Sequence, residues 1–183
     1  MNNTEKIIEV IYIALVVATF FLNTGWAIKA IELCKEGLFL LNAKALNLEK
    51  EFCRAIYGGL YLTLCEAYLR IHDIKNATRY GEKLLVIYRE CGDTLDEGWL
   101  STKLAQIYRT QCKYGEAKEL SKRAITIMKE IGHRKGEAAN YGNLGIVFQH
   151  LGDYVKAEEY YERALVIMKE IGDREGEIGR AHV

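Results

Sequence analysis

The feature that most constrains this chain is a stretch that occurs twice. Residues 123–137 read RAITIMKEIGHRKGE and residues 163–177 read RALVIMKEIGDREGE, an offset of 40 residues with eleven of fifteen positions identical. A fixed period of roughly 20–50 residues indicates a solenoid, in which one supersecondary unit recurs and each copy buries its apolar face against its neighbours. The expected object is a helical binding scaffold. What it binds is not written in the repeat.

Each copy continues on both sides. Leu144-Gly145, Phe148, Tyr154, Ala157, Tyr161 and Ala164 form one unit. Forty residues earlier stand Leu104-Ala105, Tyr108, Tyr114, Ala117, Ser121 and Ala124, and forty earlier again Leu64-Cys65, Tyr68, Ile74, Ala77, Gly81 and Leu84. Helical spacing explains why these positions are kept. Ala138, Tyr141, Leu144, Gly145, Phe148 and Leu151 make one apolar stripe of an α-helix, and Tyr154, Ala157, Tyr160, Tyr161, Ala164, Ile167, Met168 and Ile171 make a second. Gly152-Asp153 separates them. Glycine suits the left-handed residue after a helix end and aspartate the N-cap of the next helix. Gly92-Asp93 and Gly172-Asp173 punctuate the chain in the same way. The unit is helix, tight turn, helix, with small residues where the two backbones must come close.

This pattern resembles the tetratricopeptide repeat (TPR) family. Its consensus has a large residue, Leu-Gly and Tyr in the first helix, then Ala, an aromatic and Ala in the second, and Leu144-Gly145, Phe148, Ala157, Tyr161 and Ala164 fall in register with it. The 40-residue period and the KEIGDR-type linker are similar to the longer variety of Pins/LGN-type scaffolds and kinesin light chains. The resemblance implies an all-α fold, a right-handed α-solenoid of antiparallel helix pairs. One array is expected over 1–183, with repeats at about 4–45 (degenerate), 51–91, 93–131 and 133–171, and the start of a truncated fifth at 173–183. Two departures stand out. The chain has no proline, so the proline that often closes this repeat is missing, and Cys112-Lys113 stands where other copies have His72-Asp73 and Gly152-Asp153.

Composition narrows the function. Half of the residues are hydrophobic and 27% charged, as in a globular chain. The formal net charge is zero, with Lys and Arg interspersed among Glu, so no basic face declares itself for nucleic acid. The five cysteines are scattered without a CxxC pair, which argues against a disulfide framework and for a reducing compartment, hence the cytoplasm. Cys65, at the small consensus position, is expected to be a buried thiol. Neither serine lies in a GxSxG context, the histidines share no metal spacing, and no GxGxxG or P-loop is present. No enzyme, cofactor or metal is expected.

Two segments need separate treatment. Val10–Leu22, VIYIALVVATFFL, carries no charge. It is shorter than the roughly 20 apolar residues of a membrane span. Setting Ala30 against Ala157 places Val17-Ala18 on the Leu-Gly pair and Phe21 on the aromatic. Residues 10–28 are therefore read as belonging to a first repeat rather than to a membrane anchor, with a 47-residue register to the next copy and an extension around Asn42–Leu48. At the other end Tyr160, Leu165 and Ile167 are left with only a stub for cover, which makes self-association through a C-terminal apolar end the alternative reading.

The family resemblance carries the binding face onto the first helix of each unit. The inward positions are Thr63, Glu66 and Arg70 in the second repeat, Trp99, Lys103, Gln106 and Arg109 in the third, and Asn143, Ile146, Gln149 and His150 in the fourth. Amides can pair with both N–H and C=O of an extended peptide, and Arg or Lys with a carboxylate. The expected function is a non-enzymatic scaffold or adaptor that holds a partner protein's peptide or helix in this groove. The alternatives are a structural assembly module, a fragment of a longer array joined through its end, and a membrane-anchored array.

Overall fold

The structure, a computed structural model, describes the backbone of residues 3–43 and 50–181 and the side chains of residues 6–42 and 54–172. Among the described residues there are eight helices: α1 Asn3–Asn23, α2 Ala27–Ala43, α3 Lys50–Arg70, α4 Ile74–Cys91, α5 Thr94–Thr110, α6 Tyr114–Glu130, α7 Arg134–His150 and α8 Tyr154–Ala181. They form sequential antiparallel pairs, α1–α2, α3–α4, α5–α6 and α7–α8. The chain divides into two compact units, Met1–Cys91 and Gly92–Val183, each of two pairs. Within the first unit α3 packs on α1 and α2, and within the second α7 packs on α5 and α6. In the first unit Ile11, Leu22, Cys34, Leu41, Leu60, Leu64 and Tyr68 make one continuous core.

The period is written into the turns. Helices begin at Ile74, Thr94, Tyr114, Arg134 and Tyr154, one every twenty residues, and a left-handed residue stands two places before each: His72, Gly92, Cys112, Gly132 and Gly152. The turns at His72, Cys112, Gly132 and Gly152 share one hydrogen-bond pattern. Gly132 N–H donates to Lys129 C=O at 3.0 Å and His133 N–H to Met128 C=O at 2.8 Å; Cys112 and Lys113 repeat this on Arg109 and Tyr108, and Gly152 and Asp153 on Gln149 and Phe148. This is the Schellman closure, which satisfies carbonyls orphaned at the helix end. N-caps follow at once. Asp73, Asp93 and Asp153 accept the backbone N–H of the residue three places on, and His133 Nδ1 accepts Gly136 N–H at 2.9 Å. Lys113, at the equivalent place, has no side-chain cap bond.

The first pair keeps the same turn, with Gly25 at φ +88° before Trp26. Ala27, the start of α2, lies 47 residues before Ile74, the start of α4, which is the register expected from the residues. The expected extension falls largely on residues 44–49, outside the described residues. Only one stripe of α1 is covered: Ile11, Ala18 and Leu22 are buried, whereas Val10, Tyr12, Ile13, Val16, Val17 and Phe20 are exposed. The segment Lys6–Asn23 is long and apolar enough to cross a membrane by length and composition.

The other end departs from expectation. Gly172-Asp173 was expected to stop the helix, but α8 runs through it to Ala181 without a break. Gly-Asp permits a turn and does not compel one. Continuing the helix keeps every i→i−4 bond, so reversal is favoured only where the following segment has an apolar stripe to lay back on its predecessor. Residues 174–181, REGEIGRA, offer Ile178 and little else. Ile167, expected on the uncovered end, is instead 5% exposed and packs with Ile125, Ala138, Tyr141 and Leu144, while Leu165 is 69% exposed.

Candidate peptide-binding face

The first helix of each pair presents one stripe inward to its partner and another outward. On α5 the exposed stripe is Trp99, Lys103, Gln106 and Thr110, at steps of four, three and four. On α7 it is Ala139, Gln149 and His150, with Gly142 and Ile146 half-buried between them. The two helices lie side by side: Asn140 Nδ2 donates to Thr102 Oγ1 at 2.9 Å and to Gly136 C=O at 2.9 Å. Ala139, Gly142, Thr102 and Thr110 were absent from the sequence-based set. The signal for them was the i, i+3, i+4 continuation of the stripe already named.

The candidates fare differently in their surroundings. Trp99 is 44% exposed and meets the His133 ring edge-on at a 4.8 Å centroid distance. His150 is exposed at its edge but stacked on Tyr114, 5.4 Å away and 14° from parallel. Gln149 accepts the Tyr161 hydroxyl at 2.8 Å through Oε1, which leaves its amide donors outside that bond. Lys103 and Gln106 are exposed, Glu66 and Ile146 half-buried.

Three positions do not stand free in the groove. Thr63 is buried and its hydroxyl donates to Gly59 C=O at 2.9 Å, the usual satisfaction of a mid-helix threonine. Arg70 Nη1 donates to Leu22 C=O at 2.7 Å, so it caps the end of α1. Asn143 is 8% exposed. Thr63 and Arg70 are thereby structural groups rather than free groove residues; helix phase does not register that Thr63 is buried and that the exposed Arg70 is engaged by α1.

Asn143 is also informative because Nδ2 is buried with no hydrogen-bond partner, and Nε of Arg109 on α5 is in the same condition. A buried donor left unmade costs about 1–3 kcal/mol, so such groups mark places where an acceptor is wanted. A side chain with donors to spare can take a carbonyl or a carboxylate. Among the described residues no group of three or more His, Cys, Asp or Glu side chains could hold a metal ion.

Beneath this face the pairs are held together by close approach and by buried charge. A Cβ on Gly145 would lie 2.5 Å from Cε1 of Tyr161, so the ring rests directly on the α7 backbone. Glu97 is buried on α5 and receives both Nε (3.0 Å) and Nη2 (2.9 Å) of Arg123 on α6, which raises the Arg123 pKa through that hydrogen bond. In the next pair the buried Glu137 is met by Arg134 at 2.6 Å and Lys129 at 3.6 Å, and Arg134 also pairs with Glu170. Cys34 and Cys65 are buried thiols, and burial pushes Cys34 up to about 12.

Comparison with known proteins places these elements. Two family models, both described as tetratricopeptide repeat, match residues 58–130 and 138–168, together more than half of the chain. No curated protein sequence matches it. Among solved structures the chain is similar to BtubC (BKLC) from P. vanneervenii, at 18% identity and TM-score 0.71 over 88% of this chain and 64% of that one. It is similar to the signal transduction ATPase with numerous domains (STAND) protein with a tetratricopeptide repeat sensor from Pyrococcus horikoshii, at 20% identity and TM-score 0.74, covering 92% of this chain and 25% of that one. A kinesin light chain with nearly identical TPR-like repeats, from Podosopora anserina, matches at 18% identity and TM-score 0.64 over 93% of this chain and 78% of that one. The chain thus spans less than two thirds of the first two of these proteins, and at such identities the likeness is one of fold. TPR domains are in general protein-interaction modules and typically non-catalytic. With its period, its Schellman turns and its small-residue contacts accounted for, the chain belongs to the tetratricopeptide repeat family.

Proposed function

We propose that this chain is a non-enzymatic scaffold that holds an extended segment of a partner protein along the outward stripes of α5 and α7. The observation that carries this reading is the row of exposed donor side chains, Lys103 and Gln106 on α5 and Gln149 on α7. That set is rich in donors. It suits a ligand that brings carbonyl oxygens at regular spacing and a carboxylate, which is the chemistry of a peptide strand with an acidic side chain or a free C-terminus. Arg70, engaged on α1, plays no part in it. A cytoplasmic setting belongs to the same proposal and is supported by Cys34 and Cys65, which are free thiols in the core.

The test is selection of peptides from a random display library against the chain, followed by calorimetric titration of the selected peptides. Lys103→Ala, Gln106→Ala and Gln149→Ala are each expected to weaken binding about tenfold, the loss of one charge-assisted or amide hydrogen bond. Glu158→Ala, on the exposed side of α8, should leave it unchanged. Peptides that bind all three variants as well as the parent chain would place the site elsewhere.

A further inference from the structure

We propose that the chain associates head to tail with further copies of itself, the outer face of α8 in one copy seating the outer face of α1 in the next. This goes beyond peptide binding, and it names the surface that meets the apolar end.

The first half of the argument is a comparison of α6 with α8, which are related by the 40-residue period. On α6, Ile125 and Met128 are 7% and 0% exposed, because α7 lies over them. Their equivalents on α8, Leu165 and Met168, are 69% and 50% exposed. The same stripe is a core seam in one copy and open surface in the next. What fits such a stripe is the first helix of a repeat, since that is what covers it inside the molecule.

The second half compares α1 with α3, in the 47-residue register. Leu60, Thr63, Leu64 and Ala67 of α3 are buried, and Leu60 reaches α2, where a Cβ on Gly37 would lie 3.3 Å from its Cδ2. Their equivalents on α1 are Ile13, Val16, Val17 and Phe20, all apolar and all exposed. The exposed side of α1 thus carries apolar residues at the positions that α3 uses to stack. On α8 the position equivalent to Gly37 is the small, half-buried Ala164.

The two faces are different surfaces, so joining them repeats the α2–α3 and α6–α7 seams and is heterologous. Such contacts propagate into rings or open chains rather than closing as a two-fold dimer. The internal α6–α7 seam includes the Lys129–Glu137 pair, whereas the equivalents at the new seam are Lys169 and Val10. The contact is therefore almost wholly apolar, and about 0.5 M NaCl, which screens surface charge, should not weaken it.

Two double variants decide the matter, Ile13→Glu with Val16→Glu on α1 and Leu165→Glu with Met168→Glu on α8. All four side chains are at least half exposed, so the helix content seen by circular dichroism should match the parent chain; Lys in place of Glu at the same sites provides a second pair. In sedimentation over roughly 1–200 µM the parent chain is expected to grow past a dimer. Each double variant alone should stay monomeric, with association weakened more than about 100-fold by burial of unpaired charge. Mixed one to one, the two variants should form a dimer and nothing larger, because each contributes one intact face. An α1 variant that still dimerises would mean an α8-to-α8 contact, and an α8 variant that still dimerises an α1-to-α1 contact. Either result, a parent chain that stays monomeric throughout, association lost in high salt, or flotation with phosphatidylcholine vesicles abolished by the α1 variant, would overturn the proposal.

Discussion

The third pair, α5–α6, and the fourth, α7–α8, occupy the same register and reach the same backbone by different chemistry. Where the fourth has Gly145 beneath the ring of Tyr161, the third has Ala105 and Ser121, both buried, and the second has Cys65 and Gly81. A gain in size on one helix is matched by a loss on the other. The buried acid is kept as well, but its partner changes. Arg123 grips Glu97 with a bidentate pair, whereas its equivalent Arg163 lies over the rings of Tyr141 and Tyr160, at 5.8 and 5.5 Å, and leaves Glu137 to Arg134 and Lys129. The difference teaches that the repeat conserves a volume and a compensated charge, not particular residues.

The largest test of this equivalence is at the close contact. Gly145→Ala pushes a Cβ into a ring that cannot bend, and should destabilise the chain by about 2–3 kcal/mol in urea unfolding. Adding Tyr161→Ser converts the fourth pair to the third pair's solution and should recover most of that loss. If the double variant is no better than the single one, the two positions do not compensate.

Next in size are the two arginines. Arg123→Ala leaves Glu97 buried without its bidentate partner and should cost about 1–3 kcal/mol, less than a fully buried pair because the Arg123 side chain is itself about half exposed. Arg163→Ala removes stacking alone and should cost only about 0.5–1 kcal/mol. Equal losses in thermal or urea unfolding would mean that Arg163 also supports a buried acid.

The smallest effects belong to the turns. Cys112 holds φ +58° without being glycine, and Lys113 makes no cap bond. Cys112→Gly should stabilise by about 1 kcal/mol and Lys113→Asp by about 0.5–1 kcal/mol, while Gly152→Ala should destabilise by about 1 kcal/mol. Asp153 adds a pH signature: its hydrogen bonds to the Lys156 side chain and backbone hold its carboxyl below the usual value of 3.8. A depressed carboxyl contributes stability above its unfolded pKa and loses it as pH falls through the folded one. The difference between the parent chain and Asp153→Asn should therefore be constant near neutrality and shrink below about pH 4. A difference unchanged at pH 3 would remove the ionic share of that cap.

Much of this fold was legible beforehand because its information is local. The positions of turns follow from the repeat period, marked by Gly92-Asp93 and Gly152-Asp153, and the small residues at Gly145, Ala105 and Cys65 mark where backbones approach. Even the 47-residue register of the first pair could be read from Ala30 and Val17-Ala18. The binding face was only partly legible. Lys103, Gln106 and Gln149 are exposed as expected, but Thr63, Arg70 and Asn143 have the same phase on their helices and are covered or engaged. Phase says which side of a helix a residue is on. It does not say what lies against that side.

The sequence by itself determined the period, the pairing of helices and most of the turns, since each depends on residues within one repeat. Tertiary structure alone decided which stripes are covered. Met128 and Met168 are the same residue in the same repeat position, one sealed and one open, because burial belongs to the neighbour and not to the side chain. The same reason lets α8 run on through Gly172-Asp173: a turn forms where the next helix has something to pack against.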